Sequence, residues 1–338
     1  MNRCTSGRLV IDYRSAGGLE TKNYGSNVKV ALLIALAIVT LAYAIVWLGY
    51  LLRGRRAGTK DAAGTTANFP IQLGVGFFAN FMDTLGVGSF AITSSIYKLL
   101  NLIPDDLIPG TMNVGHAMPT ITEAFFFIAA VAVEPTTLIS MIVAASLGAY
   151  FGAGIVSGWS KRKIQIGLGI ALVAASLLMF SSIPTASHPK GLLPLGGLAM
   201  GLTGAKLWIA VIVNFFLGAI QQLGVGLYAP CMILIYLLGM NPIAAFPIMM
   251  GSCAFLMPVG GTRFIKAHRY SPKAALGLTI GGIPGVVIAA TIFLRLYKIN
   301  INYVKWIVVF VVLYTAVMLL RSAATESRAE AESKSLST

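Results

Sequence analysis

Charged residues are scarce in this chain of 338 residues: they make up 11% of the sequence, against 57% hydrophobic residues, and the mean hydropathy is +0.82. Soluble globular domains carry about 25% charged residues, so this composition excludes an ordinary soluble domain. The apolar residues form runs of about 20, the length with which an α-helix crosses the roughly 30 Å hydrocarbon core of a bilayer. The chain is therefore predicted to be a membrane protein.

Cysteine is also scarce, and the three cysteines, Cys4, Cys231 and Cys253, are widely spaced. An odd number without CxxC spacing excludes a paired disulfide framework. The sequence also lacks an HExxH motif, a Gly-x-Ser-x-Gly elbow, a Walker loop and paired catalytic carboxylates. We therefore predict neither an enzyme nor an ATP-driven pump, with no catalytic residues, no cofactor and no metal site.

Acidic residues are outnumbered by Lys and Arg, 11 to 25, which gives a formal net charge of +14. The basic residues lie mostly between the apolar runs and in the tails, without the single basic face of a nucleic-acid binder. Control of topology and contact with anionic lipid explain such a pattern. The predicted partners are a small anionic substrate and membrane lipid, without nucleic acid, and homo-oligomerisation stays open.

Nine apolar runs have spanning length. We therefore predict an all-α polytopic protein of about nine hydrophobic helices, multi-pass in a cell membrane, with the inner or plasma membrane of a prokaryote as the expected location. The basic RGRR sequence at 53–56 follows the first run, and a polar segment precedes it. Both features indicate a retained transmembrane helix rather than a signal peptide. The runs lie near 29–52, 70–99, 108–132, 136–158, 163–182, 207–238, 242–265, 272–294 and 301–320.

Two of these runs carry the same glycine interruption. The first contains FMDTLGVG at 81–88, and the second contains AIQQLGVG at 219–226. Glycine pairs weaken a helix, and a membrane tolerates unwound backbone only where protein or a water-filled cavity receives it. Paired interruptions in two halves are typical of a transporter with its substrate site between the halves. The pattern predicts glycine-broken helices around a shared site.

The interruptions indicate an internal duplication. Gly86 and Gly224 are 138 positions apart, and Met118-Pro119 matches Met257-Pro258 at an offset of 139. The Gly-x-x-x-Gly pair at 148 and 152 matches the one at 281 and 285 at an offset of 133, and there close helix packing is expected. Parallel and inverted repeats both stay open. The predicted organisation is an N-terminal tail (1–27), an extra transmembrane helix with a basic linker (28–60), a first repeat (68–183), a connection (184–206), a second repeat (207–321) and a C-terminal tail (322–338).

The chain resembles the sulfite exporter TauE/SafE family, also called the TSUP transporters, through the GVG sequences at 86–88 and 224–226. Members of that family have a duplicated four-span unit with a Gly-x-Gly-Gly-Gly-like motif in the first span of each unit. The resemblance covers roughly residues 70–320, and Ser89 and Leu227 depart from it where further glycines are common. It implies secondary transport of sulfite, thiosulfate, sulfonates such as sulfoacetate, or other small anions.

Four ionisable residues inside or beside the apolar runs are candidates for coupling or gating, because charges in hydrocarbon are costly. Asp83 either relays a proton or caps the N–H groups freed at the Gly86 turn. Glu123 either acts as a relay or forms an interhelical pair with Arg263 or His116. His116 lies on nearly the same helix face as Glu123, and Arg263 either binds an oxyanion or extends to the headgroups.

Anion binding needs hydrogen-bond donors, which unwound backbone and the positive end of a following half-helix supply. Polar side chains at matched places in the two halves either complete such a site or form hydrogen bonds between helices. The candidate binding residues are Gly86, Gly88, Gly224, Gly226, Thr111, Asn113, Gln222 and Ser252. The sequence thus favours a secondary anion transporter, with a passive anion channel or a structural membrane subunit as alternatives.

Overall fold

A computed structural model describes residues 18–56, 68–152, 161–181, 197–299, 306 and 309–324. Most of the two predicted tails, the basic linker and most of the connection between repeats lie outside these residues. Within them the fold is α-helical, without a β-strand. The helices are α1 (Gly18–Arg56), α2 (Phe69–Thr84), α3 (Ser89–Leu99), α4 (Ile108–Gly115), α5 (Ala117–Ala130), α6 (Pro135–Leu147), α7 (Lys161–Ser181), α8 (Gly204–Gln221), α9 (Tyr228–Leu237), α10 (Ala245–Lys266), α11 (Pro272–Ile299) and α12 (Val309–Ala324).

Four helical segments are long and apolar enough to cross a membrane: Asn27–Arg53, Gly204–Gln221, Pro242–Lys266 and Pro272–Leu296. The all-α fold is thus confirmed within the described residues, and the four segments are consistent with a membrane protein, while the nine spans and the repeats stay predictions. The helix α1 begins at Gly18, inside the segment predicted as a tail. The segment Pro242–Lys266, which contains α10, has the largest share of buried residues of the four, whereas few residues of Asn27–Arg53 in α1 are buried.

The predicted tracts 70–99 and 207–238 are each divided into two helices. The break between α2 and α3 contains Gly86 and Gly88, with φ of 101° and 89°. The break between α8 and α9 contains Gly224, with φ of 83°. Side chains disfavour this left-handed region, and glycine adopts it without steric cost. Gly226 differs from the other three, because its φ lies outside this region.

Close contacts across two helix pairs explain the Gly-x-x-x-Gly spacing. A Cβ atom built on Gly281 of α11 would lie 2.0 Å from Leu73 O of α2, and one on Gly285 would lie 2.4 Å from Phe77 O. A Cβ on Gly148, which directly follows α6, would lie 1.9 Å from Phe215 O of α8. The packing expected for these glycines is therefore present. The surroundings of Gly152 lie outside the described residues.

The N-terminus of α6 is capped by Glu134. Its carboxylate accepts hydrogen bonds from the backbone N–H of Thr136 at 2.9 Å and of Thr137 at 2.7 Å, and from Thr137 Oγ1 at 2.8 Å. Partial burial raises the pKa of the Glu134 carboxyl, but these hydrogen bonds outweigh it and hold the pKa below the ordinary value of 4.5. The cap therefore stabilises the folded state at a pH above the unfolded pKa, and this stability is lost as the pH falls through the lowered folded pKa.

Glu134→Ala is expected to lower the free energy of unfolding at neutral pH by about 1 kcal/mol, the usual worth of an N-cap. The loss should shrink in acid, because protonation already weakens the wild-type cap. The measurement is the thermal unfolding midpoint in detergent at neutral and acidic pH. Glu134→Gln, which keeps a side-chain acceptor without the charge, is the control. An equal loss for Glu134→Ala at both pH values would contradict this role of the carboxylate.

Candidate functional site: a cavity between the two helix breaks

A small cavity lies where the two helix breaks meet, with room for about one water molecule. Its wall is built from the ends of α2 and α8, the first turns of α3 and α9, and one face each of α5 and α10. The lining residues are Asp83, Gly88, Ser89, Phe90, Thr120, Gln221, Gly226, Leu227, Tyr228, Cys253 and Met257. The breaks that stand far apart in the sequence therefore face one shared space.

Most of this lining consists of matched pairs, one residue from each break. Asp83 and Gln221 are 138 positions apart (221 − 83 = 138), and so are Gly88 and Gly226 (226 − 88 = 138). The two residues that follow each second glycine keep the same separation. These are Ser89 with Leu227 and Phe90 with Tyr228. Positions of the two breaks that share this offset thus line one cavity.

Asp83 caps α3 from within the protein. Its side chain is buried, with Oδ1 accepting the Ser89 backbone N–H at 2.7 Å and Oδ2 accepting the Ser89 hydroxyl at 2.9 Å. A carboxylate is favoured there, because the N-terminus of a helix presents unpaired N–H groups and a partial positive charge. Of the two interpretations of Asp83, its hydrogen bonds fit the cap, although the residue also lines the cavity.

The matching end of α9 has no such cap. Leu227 takes the place of Ser89 and lacks a hydroxyl, and within the described residues α9 has no side-chain N-cap hydrogen bond. Gln221 takes the place of Asp83, and its Oε1 accepts a hydrogen bond from Cys253 Sγ at 3.2 Å. Of the two helix N-termini at the cavity, that of α3 is therefore capped by a carboxylate of the protein, whereas that of α9 is not capped by a side chain of the described residues.

Glu123 does not line the cavity itself but accepts a hydrogen bond from Tyr228, which does. Its Oε1 accepts from Thr84 Oγ1 at 2.8 Å, and its Oε2 accepts from the Tyr228 hydroxyl at 2.7 Å. The interhelical contacts considered for Glu123 are present, but hydroxyl groups from α2 and α9 provide them in place of Arg263 or His116. Tyr228 lines the cavity, so it links the buried carboxylate of α5 to this space.

His116, at the junction of α4 and α5, is fully buried in a separate hydrogen-bonded chain. Its Nε2 lies 2.9 Å from Thr93 Oγ1, and its Nδ1 lies 3.1 Å from Asn80 Oδ1. The Asn80 amide nitrogen donates to Gly76 O, so Asn80 Oδ1 accepts from His116. Nδ1 therefore carries the proton, and Nε2 accepts from Thr93. This arrangement holds α3 to the α4–α5 junction.

The remaining predicted side chains do not line this cavity. Thr111 accepts a hydrogen bond from the Ser271 backbone N–H at 2.9 Å, and Ser252 accepts one from Asn214 at 3.1 Å. Asn113 donates to Pro109 O within its own helix at 2.9 Å. These three groups hold helices together or bond along a helix.

Gln222 and Arg263 also lie away from the cavity. Gln222 packs against Gly260 of α10. A Cβ atom built on Gly260 would lie 2.2 Å from Gln222 Oε1. The exposed guanidinium of Arg263 lies over the Tyr150 ring, 4.4 Å from its centroid, in a cation–π contact. Of the predicted glycines, Gly88 and Gly226 line the cavity, whereas Gly86 and Gly224 shape the breaks.

Several cavity residues were missed from the sequence. Ser89, Phe90 and Tyr228 directly follow the Gly-x-Gly sequences, so extending the 138-residue offset past the glycines would have found them. Met257 and Thr120 belong to or adjoin the matched Met-Pro sequences, but that match alone does not place them at the cavity, which they reach from α10 and α5 through tertiary packing.

Within the described part of the chain, no cluster of three or more His, Cys, Asp or Glu residues has the geometry to hold a metal ion. No protein-family profile, curated protein or solved structure matches this chain. The TauE/SafE resemblance rests on the two glycine motifs.

Proposed function

We propose that this protein is a secondary transporter of small anions, with its substrate site in the cavity between the two helix breaks. One observation carries the proposal: matched residues of the two breaks, each 138 positions apart, line a single buried space. Broken helices that meet at a common site are the usual way in which transporters bind substrate within the membrane.

The open end of α9 supports an anion as the substrate. Among the residues that the structure describes, no side chain caps its first backbone N–H groups, and the helix dipole favours negative charge there. Two buried carboxyl groups, Asp83 in the wall and Glu123 behind Tyr228, are the groups proposed to couple anion movement to protons. A ligand in the cavity would contact Asp83 directly but not Glu123, because of the two only Asp83 lines the cavity.

The contacts between helices support a duplicated architecture. Gly285 meets Phe77 O as Gly148 meets Phe215 O, with offsets of 137 (285 − 148) on one helix and 138 (215 − 77) on the other. These contacts favour aligning Gly148 with Gly285 rather than with Gly281, a shift of one helical turn from the offset of 133. The glycines of each Gly-x-x-x-Gly pair are four residues apart, so the sequence alone allows Gly148 to be aligned with either Gly281 or Gly285.

Two further contacts keep the same pair of offsets. Asn214 donates to Met141 O at 2.7 Å, while a Cβ atom on Gly76 would meet Leu278 O. The contact of Gly218 with Ala145 O likewise matches that of Gly282 with Asn80. In this arrangement α2 packs against α11 and α8 packs against α6, so the first apolar run of each proposed repeat meets the third apolar run of the other.

The substrate class comes from the resemblance to the TauE/SafE family, which we carry over as part of the proposal: sulfite or an organosulfonate. The test is flux of radiolabelled sulfite in proteoliposomes with and without an imposed pH gradient. Saturable flux that responds to the gradient is expected, with thiosulfate, sulfoacetate and sulfate as unlabelled competitors. Flux that fails to saturate would indicate a channel, and folded protein without anion flux would contradict the proposal.

A further inference from the structure

We propose that the cavity is bipolar, with hydrogen-bond donors on one side and an acceptor on the other, and that it selects anions that carry their own proton. The expected ligand class is a small oxyanion with an O–H group, such as a hydrogen-oxyanion, rather than a fully deprotonated one. This inference rests on the proposed anion site and adds the chemistry by which that site would choose its ligand.

The donor side is formed by Gln221, Thr120 and the open end of α9. The side chain of Gln221 is 1% exposed, and its one hydrogen bond among the described residues is the one that Oε1 accepts from Cys253. Its amide nitrogen, with two N–H donors, therefore has no partner there. Thr120, also 1% exposed, lines the cavity with a hydroxyl that makes no hydrogen bond within the described residues.

Unpaired polar groups in a buried wall are costly, so these two point to a ligand or a water molecule that satisfies them. The other polar hydrogens of the lining side chains are already used. The Ser89 hydroxyl donates to Asp83, the Tyr228 hydroxyl to Glu123, and the Cys253 thiol to Gln221. The donors that remain for a ligand are therefore the Gln221 amide nitrogen, the Thr120 hydroxyl and the first N–H groups of α9.

The acceptor side is the carboxylate of Asp83. Each of its oxygens accepts one hydrogen bond from Ser89, and a carboxylate has about four lone-pair sites. The residue also lines the cavity, so its remaining acceptor capacity is available to a ligand. An anion without a proton would place a negative oxygen against these lone pairs, whereas an O–H group would donate to them.

Hydrogencarbonate and nitrate form a matched pair of probes for this selection. Both are planar, both carry one negative charge near neutral pH, and they differ in the O–H group. Calorimetric titration of the full-length protein in detergent should show hydrogencarbonate binding at least about tenfold more tightly, the factor that one charge-assisted hydrogen bond supplies. Equal affinities, or tighter binding of nitrate, would overturn the bipolar site while leaving an anion site in place.

Two isosteric variants test the two sides separately. Asp83→Asn replaces one acceptor oxygen by a donor, so the preference should fall to within about twofold. Gln221→Glu puts a carboxylate at the donor side, so binding of both anions should be lost. An unchanged preference in Asp83→Asn, or unchanged binding in Gln221→Glu, would overturn the assignment of that side.

The wild-type comparison does not depend on whether either variant folds. Sulfite is titrated in parallel, so that the two proposals fail in different ways. Binding of sulfite without discrimination between hydrogencarbonate and nitrate overturns the bipolar site alone. Absence of binding for all three anions overturns the anion site and, with it, the inference.

Discussion

Gly226→Ala is expected to reduce anion flux by about tenfold or more while leaving the thermal unfolding midpoint nearly unchanged. The φ of Gly226 lies outside the left-handed region, so alanine meets no backbone strain. Its Cβ atom would lie 3.9 Å from Phe90 Cβ, the nearest atom, so the methyl group fits. Both residues line the cavity, which has room for about one water molecule, so the added methyl group takes space that a ligand needs.

The measurement is sulfite flux in proteoliposomes together with the unfolding midpoint in detergent. Gly74→Ala is the matched control, because a Cβ atom there has no neighbour within 4 Å and Gly74 is exposed on α2. Gly224→Val is a less clean test, since valine at a φ of 83° strains the backbone. Normal flux through a well-folded Gly226→Ala protein would contradict the position of the site.

Gly281→Ala is expected to lower stability by about 1 to 3 kcal/mol or more, the usual range for an overpacked contact. The new Cβ atom would lie 2.0 Å from Leu73 O, a backbone atom that cannot rotate away. The helices α2 and α11 would have to separate, and α2 carries Asp83 at the cavity. Both the unfolding midpoint and the flux should therefore fall.

The control for this change is Gly167→Ala on α7, where no atom lies within 4 Å of the added Cβ. Alanine has the higher helix propensity, so the control should keep or slightly raise the unfolding midpoint. Thermal unfolding followed by circular dichroism distinguishes the two variants. An equal midpoint for Gly281→Ala and the wild type would show that α2 and α11 do not pack as closely as described.

The helix breaks could be predicted because glycine leaves a direct local signal. Gly86 and Gly224 have the left-handed φ that only glycine adopts freely, and each follows an apolar helix. Asp83 was found for a similar reason, since a carboxylate in an apolar run is conspicuous by itself. The position of each break along its tract follows from the order of residues.

The polar side chains of the site could not be predicted as well. Asn113 and Ser252 were selected by aligning the two halves, but the direction of a side chain depends on the rotation of its helix about its own axis, and a shift of one residue turns it by about 100°. The Glu123 partners were missed because Thr84 and Tyr228 come from other helices. Such contacts follow from tertiary packing and leave no mark in the local sequence.

The close packing of α2 against α11, which are far apart in the sequence, has a consequence for synthesis of the protein. Between the end of α2 at Thr84 and the start of α11 at Pro272, synthesis must advance 188 residues (272 − 84 = 188). At about 5 to 20 residues per second, α2 spends roughly 10 to 40 seconds in the membrane without the helix that buries its polar Gln72 and Asn80 face. The nascent first half is therefore expected to be the stage at which quality control acts, and a chain truncated before α11 should be degraded rather than accumulate.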